Sequence, residues 1–144
     1  MKRTLIFLIL ILAAAGGIYY WNLPSAKAPA IDLRPVIETR TSDFVLLEPA
    51  PYAKVTSPLT VTGQATGRWY FEGSFPIEVQ DMNGKKLGGG IAQAQGEWMT
   101  ADFVPFTSTI EFTATPGPLK LVPRRDNPSG LPENEYQLEF PLEY

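Results

Sequence analysis

From about Thr41 to the C-terminus, apolar and polar residues alternate in short runs. The clearest run is the last, where Tyr136, Leu138, Phe140, Leu142 and Tyr144 share one face. Successive side chains of a strand point to opposite faces, so this spacing predicts a strand half in a core and half in water. A second run puts Leu59, Val61, Gly63 and Ala65 inward and Thr60, Thr62, Gln64 and Thr66 outward. Phe75, Ile77 and Val79 form the inward face of a third, which ends at Asn83-Gly84, the strongest short hairpin signal. The return strand is expected from about Lys86 to Gln95, with Ala92 and Ala94 inward. Phe44 to Leu47 suits a first strand, Phe106 to Ala114 a fifth with Phe106, Ile110 and Phe112 inward, and Leu119 to Val122 a sixth. Ile77, Ile110, Phe112, Leu138 and Phe140 are the expected core. About seven short strands with turns every eight to twelve residues predict an all-β, immunoglobulin-like antiparallel sandwich.

The N-terminus breaks this pattern. Lys2 and Arg3 precede an uncharged apolar run that continues from Thr4 to about Trp21. Such a run reads as a single-pass membrane anchor, near the lower length limit for spanning a bilayer, with Tyr19, Tyr20 and Trp21 at the outer interface. The alternative is a secretory signal peptide cleaved near Ala13-Ala14-Ala15. The anchor is preferred because the apolar run continues past that cleavage site. Either reading exports the rest of the chain, since the positive end stays in the cytoplasm. The chain therefore divides into an anchor or signal over 1–21, a tether over 22–41 containing Pro24, Pro29 and Pro35, and a domain over 42–144. The expected location is the extracytoplasmic side of a cytoplasmic membrane.

Composition narrows the function. A net charge of −3 speaks against a nucleic-acid partner, which needs a basic footprint. Without Cys or His the chain has no disulfides, no thiol nucleophile and no His-containing zinc site. It also lacks the commonest general base at neutral pH. No cofactor or metal is expected, and Asp81-Met-Asn-Gly84 is accounted for by a hairpin turn better than by a calcium loop.

Lettered as a seven-stranded sandwich, the chain places three loops at one end: 67–74, 96–103 and 126–133. They hold Trp69, Tyr70, Phe71, Trp98 and Phe103. The segments Trp69 to Pro76, Gly96 to Thr100, Asp102 to Phe106 and Asp126 to Asn134 resemble the immunoglobulin-like domain of bacterial spore germination proteins. The likeness runs from about Phe44 to Tyr144 and implies the sandwich fold and an envelope location; it brings no catalytic residues.

Two roles compete for the aromatic loops. They close the end of the core, or they form a recognition patch of Trp69, Tyr70, Glu72, Trp98, Met99, Asn127 and Leu131. The carboxylates Glu72, Glu97, Asp102, Asp126 and Glu133 sit in the same loops and allow a hydrolytic reading. A small sandwich without a deep cleft has little means of raising one carboxyl pKa, so a non-enzymatic chain is expected. The expected role is docking or scaffolding with an envelope protein. The alternative is binding or hydrolysis of a cell-wall polysaccharide.

Overall fold

Strands form where the alternation predicts them: β1 Phe44–Glu48, β2 Leu59–Thr66, β3 Ser74–Asp81, β4 Lys86–Ala94, β5 Phe103–Phe112, β6 Pro118–Pro123 and β7 Phe140–Glu143. The computed structural model describes residues 34, 35 and 37–144, so the anchor expected over 1–21 and most of the tether lie outside the described residues. Among the described residues no helix is long and apolar enough to cross a membrane.

All seven strands belong to one antiparallel sheet in the order β1-β2-β5-β4-β3-β6-β7. The two layers expected of a sandwich are joined through β4, which pairs with β3 on one side and β5 on the other. The sheet folds over, so that rings from its two halves meet inside. Phe44 of β1 lies 6.0 Å from Phe140 of β7, and Phe75 of β3 lies 5.0 Å from Phe106 of β5. Phe44, Val61, Phe75, Ile110 and Leu121 are fully buried in this core. Of the five expected core residues, Ile77, Ile110, Phe112 and Phe140 are buried, while Leu138 is half-buried against the cluster.

Both outer strands are covered. Beyond β1 the chain crosses to the other side of the fold, where Tyr52 N donates to Pro141 O and Val55 N to Glu143 O. This stretch caps the free side of β7, and a parallel bridge joins Lys54 to Glu143. On β1 the cover comes from residues 39–41, at the end of the expected tether: Leu46 N donates to Thr39 O, and Arg40 bridges Val45. Paired edges leave little room for strand addition by a partner.

Two strand boundaries and one facing depart from expectation. β5 starts at Phe103 rather than Phe106, because β2 pairs with it as far as Thr66↔Phe103. Pro105 is tolerated inside it, its carbonyl accepting from Gln95 N. β7 is shorter than the alternation from Tyr136 to Tyr144. The β6–β7 register nevertheless continues through the Arg124↔Gln137 bridge and the bond from Leu138 N to Pro123 O. Pro123 has no N–H to return, so the ladder is broken there while the facing of the side chains persists. Thr66, expected outward, is buried at the end of β2.

Asn83-Gly84 makes the expected hairpin. The Asp81 carboxylate accepts from Asn83 N at 2.8 Å and Lys85 N at 2.9 Å, so it serves the turn.

Candidate functional site: three loops at one end

The first loop leaves β2 as a single 3-10 turn, Gly67–Trp69, that drives the indole back into the core. Trp69 is fully buried, 4.5 Å from the ring of Phe44 and 5.4 Å from that of Phe75. Tyr70 follows it inward, and its hydroxyl donates to Val104 O of β5 at 2.9 Å. Burial lifts the Tyr70 pKa above its ordinary value, and the Ala65 backbone offsets this only in part. The loop then reverses: Phe71 and Ser74 exchange backbone hydrogen bonds of 3.0 and 3.1 Å across Glu72 (φ 52°) and Gly73 (φ 76°). Positive φ at both central residues defines the type I′ hairpin turn. Glu72 occupies a conformation that suits glycine better.

The second loop packs on the first. Gly67 N donates to Thr100 O at 3.1 Å. A Cβ on Gly67 would lie 2.3 Å from Thr100 O and 2.4 Å from Trp98 O, so only glycine permits this approach. The Trp98 ring lies beside Gly73, and the side chain is half-buried. Met99 stands beyond it, 74 % exposed. The Glu97 carboxylate accepts from Met99 N at 3.0 Å and fixes the tip.

The third loop joins through the backbone, Asp126 N donating to Trp69 O at 3.1 Å. It ties itself together: Asn127 Nδ2 donates to Leu131 O at 2.8 Å, and Ser129 Oγ to Asn127 Oδ1 at 2.5 Å. Asn134 Nδ2 donates in turn to Ser129 Oγ at 2.9 Å. Leu131 stays exposed on it.

The three loops therefore meet, both neighbours leaning on the first. The seven residues read from the sequence as one patch divide into two groups. Trp69 and Tyr70 are buried and close the core, so they offer no recognition surface. Their aromatic character fitted either role, and only the inward turn at Gly67 decides it. Glu72, Met99 and Leu131 are exposed, with Trp98 and Asn127 half-buried behind them.

A groove beside the third loop was not legible as a site. Pro76, Arg124, Arg125, Asn127, Tyr136 and Gln137 contribute to its lining, with a volume of about 450 Å³. The alternation puts Tyr136 on the core face of the last strand. Its ring stands at the surface, 39 % exposed, edge-on to Trp69 at 5.6 Å and beneath the Arg125 guanidinium at 5.4 Å. Arg124 Nε lies 3.5 Å from a carboxylate oxygen of Glu78 and makes no hydrogen bond. Partial burial works against the Glu78 charge, yet the Gln80 amide, Lys86 and Arg124 together hold its carboxyl below the ordinary range. The adjacent arginines Arg124-Arg125 were the signal available in the sequence.

A seven-stranded antiparallel sheet folded on one aromatic core, with its loops gathered at one end, defines an immunoglobulin-like domain. The chain belongs to the family of the immunoglobulin-like domain of bacterial spore germination, which matches residues 45–130. No curated protein and no solved structure matches it.

Proposed function

We propose that this chain is a non-catalytic docking module held on the extracytoplasmic side of a bacterial cytoplasmic membrane, presenting its loop end to an envelope protein. Lys2 and Arg3 before the uncharged run to Trp21 support the tether and its orientation. Family membership supports an envelope role. The buried polar residues among those described are Thr66, Gln80 and Ser108, none of them a carboxylate. A carboxyl group needs burial to keep its proton at neutral pH and act as a general acid; Glu72, Glu97, Asp102 and Glu133 are exposed and Asp126 is only half-buried. Acid–base hydrolysis is therefore disfavoured.

The observation that carries docking is the layered loop end. Buried Trp69 and Tyr70 stiffen it from beneath, while Met99 and Leu131 stand out above. Preordered loops lose little entropy on binding, and methionine is enriched in interface cores. The test uses the full-length chain in its native envelope, with a photo-crosslinking amino acid at Met99 or at Met82. Met82 is also exposed but sits on the β3–β4 hairpin at the far end of β3. The expected result is one discrete protein adduct from position 99 and none from position 82. Equal adducts from both positions, or an adduct from 82 alone, would overturn the reading.

A further inference from the structure

We infer that the groove beside Tyr136 is a binding site for a neutral sugar ring of a glycan. This is independent of protein docking at Met99. Its volume of about 450 Å³ falls in the range of roughly 300–1,000 Å³ typical of small-molecule sites. The charges along it cancel, Arg124 and Arg125 against Asp126 and Glu135. Arg124 is further compensated by Glu78, while the Arg125 guanidinium lies over Tyr136 and donates to Asn134 O at 3.0 Å. The groove thus offers hydrogen-bonding capacity without excess charge, which suits a neutral ligand better than an anion or a cation.

The kind of hydrogen bonding narrows the ligand further. Guanidinium groups only donate, carboxylates only accept, and the amides of Asn127 and Gln137 do both. A sugar hydroxyl donates one bond and accepts others, so vicinal hydroxyls need donors and acceptors side by side. Arg124 keeps its Nε turned to the Glu78 carboxylate at 3.5 Å, while its side chain lines the groove and is 38 % exposed. The Tyr136 ring is edge-on to buried Trp69 and covered on one face by Arg125, and the part left exposed supplies an aromatic surface for the C–H face of a pyranose. Asn127 and Gly130 of the lining belong to the third loop, which the bonds among Asn127, Ser129, Leu131 and Asn134 hold in shape before a ligand arrives.

Titration calorimetry tests this on the full-length chain in a sugar-free detergent. The probes are cellohexaose and fully N-acetylated chitohexaose as neutral glycans, an oligogalacturonate as an anionic one, and trialanine as a zwitterionic peptide. At least one neutral glycan is expected to bind, and more tightly than the oligogalacturonate or the peptide. Tyr136→Ala should weaken that binding about tenfold or more, as loss of an interface anchor does. Gln137→Ala should weaken it about threefold, the scale of one hydrogen bond. Met99→Ala should leave it unchanged. Gln137 is exposed, and among the described residues its side chain bonds Glu139 alone, at 3.3 Å, so this variant decides the matter if Tyr136→Ala loosens the fold. Failure of the folded parent chain to bind either neutral glycan overturns the assignment. So does binding confined to the charged or peptide probe, or neutral-glycan binding that Gln137→Ala leaves intact.

Discussion

Two loops at the same end begin alike, Gly67-Arg68-Trp69 and Gly96-Glu97-Trp98, and treat their tryptophans in opposite ways. Gly67 lies where no side chain fits, pressed against the carbonyls of Trp98 and Thr100, and the 3-10 turn it starts delivers Trp69 to the core. Around Gly96 a Cβ would meet nothing within 4 Å. That loop lies over the first, and its tryptophan is left half-buried with Met99 beyond it. Residue type and spacing are shared, so burial follows from what each glycine is packed against. A core-closing tryptophan and a surface-forming one are adjacent layers of one structure.

The sharpest way to break this contrast is to truncate each indole. Trp69→Ala should cost about 3–5 kcal/mol, as for other large core side chains. Trp98→Ala should cost about 1 kcal/mol, near the middle of the range for point substitutions. Chemical denaturation of both variants checks this, and equal losses would remove the distinction between the loops.

Tyr70 sharpens it through pH. Its folded pKa is raised above the ordinary value of about 10 by burial. The folded state therefore keeps the phenolic proton where the unfolded chain loses it. The contribution is fully present below about pH 10 and falls as pH rises beyond that. Tyr70→Phe should cost about 1–2 kcal/mol at neutral pH through the lost bond to Val104 O, and should flatten the alkaline decline. Denaturation midpoints measured from pH 8 to pH 11 give both readings.

The smallest effect has the opposite sign. Glu72 sits at φ 52°, where a Cβ is unfavourable and glycine is not. Glu72→Gly should therefore stabilise the domain by about 0.5–1 kcal/mol. A thermal scan showing destabilisation instead would mean that the Glu72 side chain supports the loop.

Much of the fold was legible because a strand's facing is written in its sequence. Leu59, Val61, Gly63 and Ala65 are all buried as their alternation requires, and so are Phe75, Ile77 and Val79. The hairpin at Asn83-Gly84 was equally plain, since its chemistry is local. The joining of two layers through β4 was not, because pairing on both sides of one strand leaves no mark in that strand's alternation. Nor was the pairing of the Tyr52–Val55 stretch with β7, a strand almost ninety residues later. At the loops the sequence showed which residues were unusual and which loops would meet. It could not assign Trp69 to the core and Met99 to the surface, because that depends on a backbone contact between two loops. The groove at Tyr136 stayed hidden because the same alternation that makes a core face carried this ring past the end of the core.

The central claim is that the outer layer of the loop end is the docking surface and the inner layer its support. Met99→Asp tests it most directly, through capture of the protein that crosslinks from position 99. An exposed substitution should leave the fold within about 0.5 kcal/mol of the parent chain. Capture should weaken about thirtyfold, the scale of one lost interface anchor of about 2 kcal/mol. Undiminished capture by the folded variant would contradict the account.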